Sequence, residues 1–148
     1  MEIRIISIEN KADKNLKELI HHYLKQIPFR CSLVDIKCNS VGNEFSQKDL
    51  EADQILKKIN SDEFLIAMDQ KGTLFTSEEF SNKIFSIHHP NISFIIGGAF
   101  GLSERILTKA NSIISLSKMT FPHKLAKLVL IEQIYRSHKI KINHPYHK

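Results

Sequence analysis

Apolar and polar positions alternate between two periods along the chain, and each change of period marks an element. Ile3 to Ile8 is a run rich in β-branched residues and predicts a first strand. Leu16, Leu19, Ile20, Tyr23, Leu24 and Ile27 then recur at helical spacing, which predicts a helix from about Ala12 to Gln26 with one buried face. Val34, Ile36 and Cys38 alternate with Asp35 and Lys37, as in a half-exposed strand. A second helix is expected to start near Ser46, with Asp49 three residues on, and to carry Leu50, Ile55, Leu56 and Ile59 inward. Phe64 to Met68 predicts the next strand, ending at Asp69 and a turn at Gly72.

Thr76-Ser77-Glu78-Glu79 has the form of a capping box and opens a helix that buries Phe80 and Ile84. Ile92 to Ile96 is almost continuously apolar, which suits a central parallel strand covered on both faces. A short helix from about Ser103 to Ala110, a last strand from Ser112 to Leu116 and a closing helix from about Pro122 to His138 complete the pattern. Such alternation predicts one α/β domain over residues 1–148, a mostly parallel sheet with helices on both faces. Ligands in these sheets bind outside the carboxyl ends of the strands. The rims to watch are therefore Met68-Asp69, Gly97-Gly98 and Ser117 to Pro122.

Composition narrows the class without naming a function. The chain has 148 residues, 42% hydrophobic and 25% charged, the balance of a globular protein with a real core. No apolar run approaches a membrane span, and the start lacks the basic and apolar regions of a signal peptide. Cys31 and Cys38 are then expected as reduced thiols in a cytoplasmic protein. The net charge is +5 and unevenly spread: +1 over residues 1–60, −3 over 61–100 and +7 over 101–148. A basic C-terminal third can neutralise phosphates. It is equally compatible with a solvated face.

Two loops and a tail carry the candidate chemistry. Gly97-Gly98-Ala99-Phe100-Gly101 follows the central strand; glycine there permits positive φ and close approach of a ligand, or simply a tight turn. It is neither a dinucleotide fingerprint nor a P-loop. In Ser117-Lys118-Met119-Thr120-Phe121-Pro122, exposed backbone groups can read an adenine edge while Met119 and Phe121 supply apolar contact. The plainer alternative is a strand-to-helix connection with Thr120 as the helix cap. Among eight histidines, His21-His22 and His88-His89 are adjacent and point apart, so neither pair chelates easily. His144 and His147 lack a nearby carboxylate or cysteine cluster, and no metal is expected. The ending Asn143-His144-Pro145-Tyr146-His147-Lys148 either folds back as the wall of a site or frays.

The last helix is apolar on more than one side, with Leu125, Leu128 and Tyr135 on one stripe and Leu130, Ile131 and Ile134 on another. That calls for a deep position or a second subunit. Glu132 and Arg136 stand one turn apart and can pair, unless Arg136 faces a phosphate or a reacting group.

Taken together, Phe94 to Ser103, Ser115 to His123, Ile131 to Arg136 and the terminal Pro145-Tyr146-His147 resemble the small large-subunit rRNA methyltransferases of the SPOUT class, which methylate a pseudouridine at ring nitrogen 3. The resemblance runs from end to end and implies a C-terminal deep trefoil knot, which periodicity alone never suggests. It implies S-adenosylmethionine bound against Met68, Gly98 and the stretch Ser117, Lys118, Met119, Thr120, Phe121 and Pro122. It implies a homodimer acting on the assembled ribosome, with one subunit's donor pocket completed by the other's tail. Lys127 stands where the family pattern leads to an arginine, keeping the charge without bidentate geometry. Ser137 replaces an expected alanine.

On this reading His147 is the base or proton relay, Tyr146 positions or stacks on the target base, and Arg136 stabilises negative charge or holds a phosphate. Lys118, Lys124, Lys127, Lys139 and Lys141 are the expected phosphate contacts. The competing readings are a ribosome-binding protein of the same fold without catalysis and a nucleotide-binding α/β protein of another kind. Donor binding together with turnover on ribosomes separates them.

Overall fold

In a computed structural model that describes residues 1–148, five strands pair in the order β2-β1-β4-β3-β5, and every pairing is parallel. The elements in chain order are β1 (Glu2–Ile8), α1 (Lys14–Leu24), β2 (Arg30–Ile36), α2 (Glu44–Leu56) and β3 (Phe64–Leu74). They continue with α3 (Ser77–Ser86), β4 (Asn91–Ile96), α4 (Glu104–Lys109), β5 (Ser112–Ser115) and α5 (His123–Lys141). No helix is long and apolar enough to cross a membrane.

Alternation along the strands divides the core in two. Ile3, Ile5, Ile66, Ile92, Phe94 and Ile96 face α1, α3 and α5, while Ile6, Ile8, Leu65, Ala67 and Ile95 face α2 and α4. Central β4 is buried on both faces, which is why its sequence shows no polar alternation apart from Ser93. Phe94 is fully buried, and truncating it to alanine is expected to cost about 3–5 kcal/mol.

Local signals placed most element starts. Thr76 and Glu79 form the reciprocal capping box of α3. The start of α2 is corrected by three residues: Asn43 is its cap, and Ser46 is the residue whose N–H donates to Asn43 Oδ1, at 2.8 Å. Within α1 only Ile20 is buried, and Leu19 points to solvent. Helix α5 begins after Pro122 without a side-chain cap, so Thr120 has a different task.

β3 departs most from expectation. Instead of ending at Asp69, the chain bulges through 69–72 and resumes pairing with β5 at Thr73 and Leu74. Asp69 Oδ1 accepts from the Lys71 N–H at 2.9 Å and shapes the bulge. Gly72 then passes so near β5 that a Cβ there would stand 2.6 Å from the Ile114 carbonyl carbon. A turn-like sequence is thus used to hold two strands together.

Candidate functional site

The carboxyl ends of β3, β4 and β5 open into a cavity of about 830 Å³. Its walls come mainly from three stretches far apart in sequence, 68–71, 96–102 and 114–123 apart from Lys118, with Lys48 of α2, Glu104 and Leu107 of α4, and Ala126 at the start of α5. Met68, Ile96, Leu102, Ile114 and Phe121 make much of the lining apolar, and exposed loop backbone supplies polar groups. Volume and lining suit a ligand of nucleoside size.

Each wall is held locally. After β4, Gly101 adopts φ +81° and its N–H donates to the Gly98 carbonyl at 3.1 Å, closing a tight turn that only glycine enters without strain. Ser103 then caps α4, and Arg105 reaches Asp49 and Asp53 of α2 at 2.7 and 2.8 Å, pinning α4 to α2. In the second loop Ser115 Oγ donates to the Ser117 carbonyl, and Ser117 Oγ accepts from the Met119 N–H, each at 2.9 Å. Gln70 Nε2 donates to Thr120 Oγ1, so Thr120 ties this loop to the β3 bulge. Met119 and Phe100 remain 75% and 50% exposed at the cavity, and Leu125 is exposed just beyond them.

The tail forms a second cluster. α5 ends in a Schellman motif: Asn143 takes φ +52°, its N–H donates to the Ile140 carbonyl, and the His144 N–H donates to that of Lys139. The chain then turns back along the helix. Tyr146 Oη donates to Glu132 Oε1 at 2.8 Å, and the Arg136 guanidinium lies 4.7 Å from the Tyr146 ring centroid. Arg136 also donates twice to the same Glu132 oxygen, at 3.0 and 2.6 Å. His147 stands between Arg136 Nη1, 3.3 Å from its Nδ1, and Glu78 Oε1, 2.7 Å from its Nε2. A guanidinium only donates and a carboxylate only accepts, so this network favours the Nε2–H tautomer, with the Nδ1 lone pair accepting from Arg136.

The electrostatics follow from those bonds. Arg136 is held further into its charged form, chiefly by its hydrogen bonds to Glu132. Burial, with the Glu132 hydrogen bond behind it, pushes the Tyr146 phenol well above its ordinary value, so it stays a donor. Glu78 is held below the usual carboxylate range, first by the hydrogen bond from His147. Glu78 and Glu132 complete the network. Sequence had assigned Glu78 only to a helix start and Glu132 only to a surface pair.

His147, Tyr146 and Arg136 are therefore brought together, and Met68, Gly98, Ser117 and Met119 to Pro122 are brought together around the cavity without Lys118, but the two sets are not joined. No tail residue lines the cavity. Ala126, at the cavity, and Arg136 lie about 15 Å apart along α5. The lysines are also dispersed. Lys118 is exposed at the cavity loop. Lys124 Nζ donates to the Lys11 carbonyl. Lys139 and Lys141 lie 5.2 and 4.1 Å from the Tyr135 and Phe85 ring centroids at the far end of α5. Lys127 is a correction: it is 2% exposed and paired with Glu9 and Asp35, so it anchors α5 to the sheet and is not free for phosphate. The apolar breadth of α5 has a partly internal explanation as well. Leu130, Ile131, Ile134 and Tyr135 are buried within this one chain, in the core shared with α1 and α3.

Known proteins resemble the chain over its whole length. The family described as "Predicted SPOUT methyltransferase" matches residues 1–147. The "Ribosomal RNA large subunit methyltransferase H" of Acholeplasma laidlawii is 42% identical over 151 residues, covering 100% of both chains. The protein so named from Clostridium botulinum strain Langeland is 42% identical over 159 residues, again with 100% of both covered. Among solved structures, a "probable methylase family protein" from Haemophilus influenzae Rd KW20 superposes with a TM-score of 0.61 at 16% identity. That match covers 99% of this chain and 70% of the other, a likeness of fold alone.

Proposed function

Because the chain belongs to the SPOUT methyltransferase family, with ribosomal RNA large subunit methyltransferases H as full-length relatives, we propose that it methylates N3 of a pseudouridine in assembled large ribosomal subunits. In coarser terms it is an S-adenosylmethionine-dependent rRNA methyltransferase. The observation that carries the reading of its site is the cavity at the ends of β3, β4 and β5, walled by loops from 68–71, 96–102 and 114–123. On our reading Met68, Gly98 and Ser117, Lys118, Met119, Thr120, Phe121 and Pro122 hold the donor there. The apolar lining receives its adenine, and loop amides and carbonyls read the ring edge. We read the C-terminal part of the chain as a deep trefoil knot, and the family match is what supports that reading.

The donor supplies an electrophilic methyl group on a positively charged sulfur. The protein's own work is alignment and removal of the acceptor's proton. His147 takes the N3 proton on Nδ1, whose lone pair the Glu78 contact leaves unprotonated and which the substrate's N3–H claims by displacing the 3.3 Å Arg136 contact. Arg136, next to it, favours the imide anion that forms. Tyr146 positions the target base. Neither task can be done in the cavity of the same chain, since the tail docks about 15 Å along α5. We therefore assign the complete site to a homodimer in which the tail of one copy meets the cavity of the other. The exposed Met119, Phe100 and Leu125 beside the cavity offer apolar surface for that contact.

Lys118, Lys124, Lys139 and Lys141 remain as phosphate contacts. Lys124 and Lys141 are separated by about 26 Å along α5, which fits a broad ribosomal surface better than a short RNA. The test is transfer of labelled methyl to purified ribosomes and to protein-free rRNA. Label in a large-subunit pseudouridine, from ribosomes only, is expected. Label in another nucleotide, or in neither substrate, would overturn the proposal.

A further inference from the structure

Glu51, on α2, takes no part in the mechanism above, yet it is a charged residue only 4% exposed. Its Oε1 accepts a hydrogen bond from Gln47 Nε2 at 3.0 Å. Its Oε2 is buried and has no partner. Both oxygens press on the glycine loop: a Cβ on Gly98 would stand 2.5 Å from Oε1 and 3.0 Å from Oε2. Gly98 itself lines the cavity. The carboxylate thus lies directly behind one wall, separated from the cavity by little more than a residue of bare backbone.

Among the acids nearby, Glu104 lines the cavity but is exposed to solvent, and the others are committed. Asp49 and Asp53 hold Arg105, and Asp69 is bonded to the Lys71 N–H. Glu51 has only a neutral amide for a partner. An unpaired carboxylate oxygen in a buried place is costly, and a fold without use for it gains by neutralising it. Its field also reaches along this side of the sheet, since the Cys38 thiol is pushed up first by burial and next by Glu51.

We propose that Glu51 is a specificity-determining positioning residue, whose uncompensated carboxylate makes the Gly98 wall favour the cationic methyl donor over its neutral thioether product. The proposal rests on the reading of this cavity as the donor site. A fixed negative charge attracts a sulfonium and has no such hold on the thioether left after transfer, so the same group aids donor capture and product release. Positive charge disperses as the methyl moves, so the carboxylate favours the bound donor more than the transition state, and its benefit lies in donor capture rather than in faster transfer.

Calorimetric titration of the full-length protein with S-adenosylmethionine and S-adenosylhomocysteine, for wild type and Glu51→Gln, tests this. The substitution keeps the shape and a hydrogen bond to Gln47. Donor affinity should fall on the order of tenfold in the variant, as expected for loss of one nearby charge in a partly screened site, while product affinity barely changes. The ligand-free variant should melt at a higher temperature, because an unpaired buried charge has gone. Equal weakening of both ligands, an unchanged affinity ratio, or a variant that melts lower or does not fold would make Glu51 a structural anchor and overturn the proposal. Wild-type protein that binds neither ligand would instead remove the donor-site reading on which it rests.

Discussion

The cavity at the start of α5 and the network near its end are built by opposite means. Backbone makes the cavity: Gly97 to Gly101 and Ser117 to Pro122 present loops with little side-chain chemistry of their own. Side chains make the network: Glu132 alone receives Arg136 and Tyr146, and His147 is held between Arg136 and Glu78. On the function proposed above, the contrast follows from what each would have to do. A bound donor needs shape and backbone hydrogen bonds, whereas moving a proton needs titratable groups in fixed orientations. Adding atoms should therefore damage the first region, and removing them should damage the second.

The largest effect is expected at the tail. His147→Ala should lower turnover on ribosomes by about 10²–10⁴-fold, the usual worth of a general base, while donor titration stays at the wild-type value. A parallel loss of donor binding would erase the distinction between the two regions. Next comes Lys127, a side-chain anchor close to the backbone-built end. Lys127→Ala leaves Glu9 and Asp35 facing each other without their cation, at a cost of about 2–4 kcal/mol given that Asp35 is partly exposed. Thermal or denaturant unfolding will register this, and the salt dependence of ribosome binding should not change.

Much of this arrangement was legible in the sequence, and the failures share a cause. Runs such as Ile92 to Ile96 and the Thr76 capping box announce themselves because their determinants lie within a few residues. Asp69 and Gly72 look like a turn because turns and bulges use the same residues; only the distant backbone of Ile114 decides between them. Lys127 looks like a surface cation because Glu9 and Asp35 lie 118 and 92 residues away. At the tail, His147, Tyr146 and Arg136 do lie together as the sequence motif leads one to expect, but Glu78, which bonds His147, is local to nothing but its own helix. Glu51 was hidden for the same reason, since an acid among Leu50, Ile55 and Leu56 reads as the polar face of a helix.

A smaller effect is expected where a single methyl is added to the cavity wall. On Gly97 a Cβ would stand 2.7 Å from both the carbonyl carbon and the oxygen of Gly101, and backbone yields poorly. Gly97→Ala should cost about 1–3 kcal/mol in unfolding experiments and weaken donor binding, with the tail network intact by NMR. The smallest effect is a pH dependence of tail docking. The hydrogen bond from His147 lowers the Glu78 value in the folded state. Its contribution is therefore fully present above the ordinary glutamate value and lost as pH falls through the depressed one. Carboxypeptidase digestion should be slow near neutral pH and quicken in acid, and Glu78→Gln should digest quickly throughout.

The division of one site between two copies is tested most directly by a mixed dimer. Gly97→Ala and His147→Ala chains carrying different tags can be co-expressed, the doubly tagged species purified, and methyl transfer to ribosomes measured. If the tail of one copy serves the cavity of the other, the intact tail of the first chain meets the intact cavity of the second, and activity returns towards half that of wild type. If each chain serves its own cavity, both sites in the mixed dimer are defective, and activity no higher than that of the parent variants would contradict the account.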